Sequence, residues 1–307
     1  MHKTVFQEME SSSSRGAQYK KWLKLLLKIS VTVFCFWYLS TKINLTKTIQ
    51  SLVTANWLLL LLATLLYSLS KLISATRLNL YFQNIKIHLS GWENLKLYWL
   101  GMFYNLFLPG SIGGDAYKVI FLNKRLQAPY KKTAAAVLLD RFSGLLGLGI
   151  VLACFGAIVF VGYIQILLVF GCIAAIVAYY YLVKLFFNDF LPSFFSTLLL
   201  GTAVQVVQVI CVYCILASLG LSADRRWILI FLVASVVAVL PISMGGGLGT
   251  RELVFAEGAR HFHLDPEQGI TISLLFFLCN VLSCVAGAFY VFTDPLATAT
   301  RKVQEST

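Results

Sequence analysis

Between Thr133 and Tyr181 the chain carries two charged residues, Asp140 and Arg141, in a predominantly apolar tract long enough to cross a bilayer twice. A hydrocarbon core of about 30 Å takes about 20 helical residues, and irregular backbone does not survive there in contact with lipid. The tract therefore predicts two spanning helices, with a turn between Gly156 and Gln165. Trp22–Leu39, Trp57–Ser74, Phe194–Leu219 and Ile270–Phe292 are also long enough to span, which makes six full crossings. Trp22, Trp37 and Trp57 lie near span ends, where indole rings sit at the membrane interface. With 59% apolar and 12% charged residues, a water-soluble domain is excluded.

The net charge of +12 does not point to nucleic acid. Eight of the 25 Lys and Arg residues lie before residue 50, and most others stand in short connectors. That is the distribution the positive-inside rule produces. All seven cysteines fall in apolar stretches, and the lone Cys211-x-x-Cys214 has no second pair, so neither metal nor cofactor is expected. His261 and His263 read as solvated. The run after Lys20, Lys21, Lys24 and Lys28 reaches Trp37 and Tyr38 without a cleavage-site pattern, so no signal peptide is expected. Residues 1–20, with Ser11 to Ser14, read as a disordered cytoplasmic leader, 21–295 as the transmembrane domain and 296–307 as a cytoplasmic tail.

Two apolar segments are too short to span. Leu95–Leu108 breaks at Pro109 and resumes to Leu122, and the flanking cations are Arg77 and Lys86 before it and Lys124, Arg125, Lys131 and Lys132 after it. Basic loops on both sides predict a re-entrant hairpin that enters from the cytoplasm and returns there. Trp227–Leu240 breaks at Pro241, resumes to Ala259 and meets a polar loop, His261–Gln268, forming a second hairpin. Lys184 marks a cytoplasmic return, Ser222–Arg226 falls outside, and Arg301 and Lys302 agree with a cytoplasmic C-terminus.

The two breaks are copies of one element. Leu108-Pro109-Gly110-Ser111-Ile112-Gly113-Gly114-Asp115 and Leu240-Pro241-Ile242-Ser243-Met244-Gly245-Gly246-Gly247 agree at five of eight positions. The preceding crossings run in opposite directions, so the units form an inverted repeat. Paired Gly/Pro-interrupted helices in inverted repeats point to a central transport site. Helices that start after such breaks present free N–H groups and a positive dipole end, which suits an anion.

In the second element Gly245, Gly246, Gly247 and Gly249, with Ser243, would form an anion nest. Arg251 would grip a phosphate, and Glu252 would hold that arginine when the site is empty. In the first, Ser111, Gly113 and Gly114 would supply polar contacts, and Asp115 would pair with Arg141 or Lys118. Asp140 and Arg141, two turns into their span, either face a cavity or form a structural ion pair. Gln205, Gln208 and Asn280 read as interhelical hydrogen-bonding residues.

The ordered motifs Leu108-Pro-Gly-Ser-Ile-Gly-Gly-Asp115, Leu139-Asp-Arg-Phe-Ser-Gly144 and Leu240-Pro-Ile-Ser-Met-Gly-Gly-Gly-Leu-Gly-Thr-Arg-Glu252 resemble the lysylphosphatidylglycerol synthase transmembrane-region family, also described as flippase-like membrane proteins. The resemblance runs from about Lys20 to Pro295. It implies lipid translocation, and Asp115, Arg141, Arg251 and Glu252 match the family's polar motif positions. The sequence stops twelve residues past Pro295, so the aminoacyl-transferase domain of the multiple peptide resistance factors is not expected. Synthesis of lysyl lipid is not expected either.

The expectation is an all-α polytopic membrane protein with about six full transmembrane helices plus two re-entrant helical hairpins in an inverted repeat. It would lie in the cytoplasmic membrane with both termini cytoplasmic and move an anionic phospholipid or a polyprenyl- or lipid-linked headgroup between leaflets. A homo-oligomer or a partner biosynthetic enzyme is compatible with the sequence. Two alternatives stay open: an integral membrane enzyme acting on a lipid phosphate, and a non-transporting partner subunit of a lipid or glycan biosynthesis system.

Overall fold

A computed structural model describes residue 50 and residues 53–107, 113–239, 247, 249–293 and 295–296. The leader, the span Trp22–Leu39, most of the tail and the tips of both hairpins, including Ser111, Ser243, Gly245 and Gly246, lie outside the described residues. Within them the chain forms α1 (Trp57–Asn84), α2 (Gly91–Phe107), α3 (Gly113–Leu126), α4 (Tyr130–Val159) and α5 (Tyr163–Phe186). A 3-10 segment, Asn188–Ser193, leads into α6 (Phe194–Ser218), followed by α7 (Arg225–Val239), α8 (Thr250–His261) and α9 (Pro266–Phe289). Among the described residues α1, α4, α5, α6 with its 3-10 lead-in, and α9 are long and apolar enough to cross a membrane. The protein is an all-α polytopic membrane protein.

Local chemistry sets the helix ends. The Asn56 side chain accepts from the backbone N–H of Leu58 and Leu59 and opens α1. Asp265 accepts from Glu267 N–H at 2.9 Å, with Pro266 at the first helical position of α9. Gly249, at φ 83°, turns the chain into α8, and Glu252 Oε2 reaches back to accept its N–H at 2.6 Å. Phe160 to Gly162 separates α4 from α5, inside the predicted window.

One boundary corrects the sequence reading. Helix α1 continues ten residues past Ser74, because no Gly or Pro interrupts the chain from Trp57 to Asn84. Arg77 is therefore no loop residue that reports a cytoplasmic face. It sits inside the helix, 5% exposed.

The short helices are hairpin arms. At 1.5 Å per residue, α2 and α3 are about 25 and 21 Å long and α7 and α8 are about 22 and 18 Å, short of a full crossing. Helix α2 packs on α3 and α9, and α7 packs on α8 and α4. Exchanging α1–α4 for α6–α9 maps the set of contacts among these eight helices onto itself: α1 with α4 onto α6 with α9, α2 with α9 onto α7 with α4, and α1 with α6 onto itself. Helix α5 stands outside this pattern, resting on α4 and the 3-10 segment with only Val183 buried.

The exterior is apolar, as lipid requires. Leu58, Leu61, Leu62, Leu65, Leu69 and Leu72 form one exposed stripe of α1, while Ser70, Ser74 and Arg77 turn inward.

Candidate functional site

Polar side chains midway along four spanning helices converge on one cavity of about 300 Å³. Lys71 is the fifteenth of 28 residues in α1, Gln208 the fifteenth of 25 in α6 and Asn280 the fifteenth of 24 in α9. Asp140 and Arg141 come from α4, Asp115 and Lys118 from α3, and Arg251 from the first turn of α8. The hairpin helices thus insert their charged first turns between the spanning helices.

Two ion clusters are built into the wall. Arg77 Nε donates to Asp140 Oδ1 at 2.7 Å, with both side chains nearly sealed from solvent. Room for that guanidinium comes from two glycines: a Cβ on Gly144 would stand 2.9 Å from Arg77 Nη1, and one on Gly201 would stand 3.3 Å from it. In the second cluster Asp115 accepts from Lys118 Nζ at 2.9 Å through Oδ1 and from Arg141 Nε through Oδ2. Lys118 Nζ also lies 4.5 Å from the Tyr98 ring centroid. One carboxylate thus faces two cations.

Arg251 is handled differently. It is 7% exposed, its guanidinium lies over Phe276 at 4.4 Å and Phe231 at 5.5 Å, and it donates to Ser235 Oγ at 3.3 Å. Its Nε has no hydrogen-bond partner, and no carboxylate among the described residues pairs with it. The expected Arg251–Glu252 clasp is absent. Glu252 spends Oε2 on the Gly249 N–H and Oε1 on the Ser273 hydroxyl at 3.0 Å, because its position in the first turn of α8 aims it at the free amides of that helix end.

Lys71 is the residue the sequence reading passed over. Its Nζ lies 4.6 Å from the Tyr67 ring centroid and has no carboxylate partner among the described residues. Tyr67 in turn stands edge-on to Phe276, with centroids 5.2 Å apart, and donates to Asn280 Oδ1 at 2.9 Å. Lys71 and Arg251 are therefore joined through two aromatic rings. A signal for Lys71 and Arg77 did exist: they stand at i, i+6 around Ser74 in an unbroken helical run, and an ionisable residue inside a span faces a cavity by default.

Of the expected site residues, Asp115, Asp140, Arg141 and Arg251 line the cavity. Gly113 opens α3, and Gly114 packs against the backbone of Gly101 while donating to Asn105 Oδ1 at 2.8 Å. Gly247 accepts from Arg251 N–H at 2.9 Å, and Gly249 forms the turn into α8. These glycines, with Glu252, shape the hairpins and stay out of the cavity wall. Gln208 bonds to Ser70 and Asn280 to Tyr67 across helices, while Gln205 Oε1 has no hydrogen-bond partner among the described residues. Cys211 packs in the core and donates to Ala63 O at 3.2 Å. Among the described residues no group of three or more His, Cys, Asp and Glu side chains is placed to hold a metal ion.

Five described cations, Lys71, Arg77, Lys118, Arg141 and Arg251, face two carboxylates, Asp115 and Asp140, an excess of three positive charges. Low-dielectric surroundings make such an excess costly unless an anion offsets it. Fold and cavity together define a polytopic helical membrane protein with a cationic chamber midway along its spanning helices. The chain belongs to the lysylphosphatidylglycerol synthase TM region family, whose model matches residues 25–287. It is also 32% identical over 124 residues to the UPF0104 membrane protein PH1989 of Pyrococcus horikoshii; the match spans 40% of this chain and 36% of that relative. No solved structure matches the chain.

Proposed function

We propose that this protein moves an anionic lipid, or a lipid-linked anionic headgroup, between the leaflets of the cytoplasmic membrane. The observation that carries this reading is that, among the described residues, five cations and two carboxylates line a cavity midway along the spanning helices. The headgroup would enter the cavity while its acyl or prenyl chain stays in lipid. Membership of a family named for the membrane region of a lipid-modifying enzyme supports a lipid as the ligand.

The contact pattern supports the rest of the cycle. If each hairpin enters and leaves on one side, α1 and α6 run antiparallel and the two four-helix units are an inverted repeat. Rocking one unit against the other would expose the cavity to each side in turn, with the Asp115–Arg141 and Asp140–Arg77 pairs holding α1, α3 and α4 together as one moving body. Both termini lie in the cytoplasm in this reading, and single cysteines at Ser111 and Ser243, labelled from each side, test the orientation.

Reconstitution tests the function. Vesicles containing the protein and a trace of headgroup-labelled anionic phospholipid should lose the protected inner-leaflet fraction to an impermeant quencher, and protein-free vesicles should keep it. Arg251→Ala should return the rate to background. A rate independent of protein, together with retained lipid identical to the bulk membrane, would reject transport.

A further inference from the structure

Lys71 and Arg251 are the two cavity cations that no carboxylate among the described residues offsets. Arg77 is balanced by Asp140, and Asp115 is shared by Lys118 and Arg141. Tyr67 and Phe276 bridge the unbalanced pair, Lys71 over the first ring and Arg251 over the second. Ring faces attract a cation without neutralising it. Donor capacity is also unspent: Arg251 Nε has no acceptor, and Lys71 Nζ makes no hydrogen bond among the described residues.

We propose that Lys71 and Arg251 jointly receive a phosphate that carries two negative charges, so that the cavity selects a phosphomonoester or diphosphate headgroup over a phosphodiester. A phosphodiester would bring one charge and leave one of the two unbalanced. A terminal phosphate brings two charges and three acceptor oxygens, enough for a guanidinium fork and an ammonium at once. The cavity of about 300 Å³ is at the small end for ligand sites, which suits a compact terminal phosphate. A lipid as the source of that phosphate rests on the transport reading above; the charge of the phosphate does not.

The full-length protein in phosphatidylcholine nanodiscs provides the test, at pH 7, where a phosphomonoester with a second pKa of about 6 is mostly doubly ionised. Three probes are compared: phosphatidate, phosphatidylglycerol and soluble glycerol 3-phosphate. Phosphatidate should bind about tenfold or more tightly than phosphatidylglycerol, the worth of one charge-assisted contact. Lys71→Gln and Lys71→Met should remove that preference, and Lys71→Arg should restore it. The comparison of the two lipids on the unaltered protein needs no variant, so a misfolded substitution cannot hide the answer.

Equal binding of phosphatidate and phosphatidylglycerol, both weakened by Arg251→Gln, would overturn the two-charge site and leave transport of anionic lipid standing. Glycerol 3-phosphate binding as tightly as phosphatidate would support the site and overturn the lipid as its source. No saturable binding of any of the three would overturn both.

Discussion

Asp140 is bonded to Arg77, sixty-three residues earlier in the chain, and not to Arg141 beside it. Consecutive helical residues point about 100° apart, so the neighbours on α4 serve different partners, Asp140 on α1 and Arg141 on α3. The Asp-Arg dipeptide ties one spanning helix to another and to a hairpin arm.

Removing one member of the Arg77–Asp140 pair strands a buried charge, a loss of about 3–5 kcal/mol. Arg77→Met and Asp140→Leu should each lower the thermal unfolding midpoint in detergent strongly, and the double substitution should recover most of the loss. Additive damage in the double variant would show that the two residues do not act as a pair.

Arg251 should behave in the opposite way. Its desolvation costs several kcal/mol without a carboxylate to offset it, against a cation–π gain of about 2 kcal/mol for a desolvated contact. Arg251→Met should therefore raise the midpoint of lipid-free protein while abolishing the further rise that bound anionic lipid gives. A lowered lipid-free midpoint would assign Arg251 to the architecture and remove it from binding.

Helix α3 approaches α2 so closely that a Cβ on Gly114 would overlap the Gly101 carbonyl. Gly114→Ala should cost about 1–3 kcal/mol through overpacking. Gly149→Ala, with nothing within 4 Å of the added carbon, should be neutral or stabilising. Equal midpoints for the two variants would contradict the α2–α3 packing.

Glu252 caps α8 through the Gly249 N–H and ties it to Ser273 on α9. Loss of a helix cap is worth about 1 kcal/mol, so Glu252→Ala should loosen α8 by that amount, read as faster amide exchange in its first turn. Lipid selectivity should stay with Arg251. A change of selectivity equal to that of Arg251→Ala would restore Glu252 to the cavity.

In the loop before α7, hydrogen bonds from the Arg226 guanidinium and backbone hold the Asp224 carboxyl below the usual carboxylate range. A depressed folded value contributes stability above the unfolded value of about 3.9 and loses it as pH falls through the folded value. The gap in midpoint between wild type and Asp224→Asn should be constant from about pH 5 to 8 and should close below about pH 4. A gap independent of pH down to 3 would mean that Asp224 acts through shape and not charge.

Apolar length, set against the thickness of a bilayer, located the spans α4, α5, α6 and α9 and the short helices of the two hairpins, and the Pro- and Gly-containing repeat marked the breaks between those helices in the sequence. The charged residues Asp115, Asp140, Arg141 and Arg251 were legible for a related reason, since an ionisable group inside or beside an apolar span is too costly to be idle. Periodicity and cost are properties of a segment by itself. Which charge meets which is a property of three or more helices at once. Only the packing of α1 against α4 and α6 turned Arg77 from an apparent loop cation into the partner of Asp140. Only the docking of the α7–α8 hairpin against α4 and α9 left Arg251 and Lys71 lining the same cavity. Glu252 was misassigned on adjacency in sequence, and the backbone amides of its own helix end, nearer and already polarised, claimed it first.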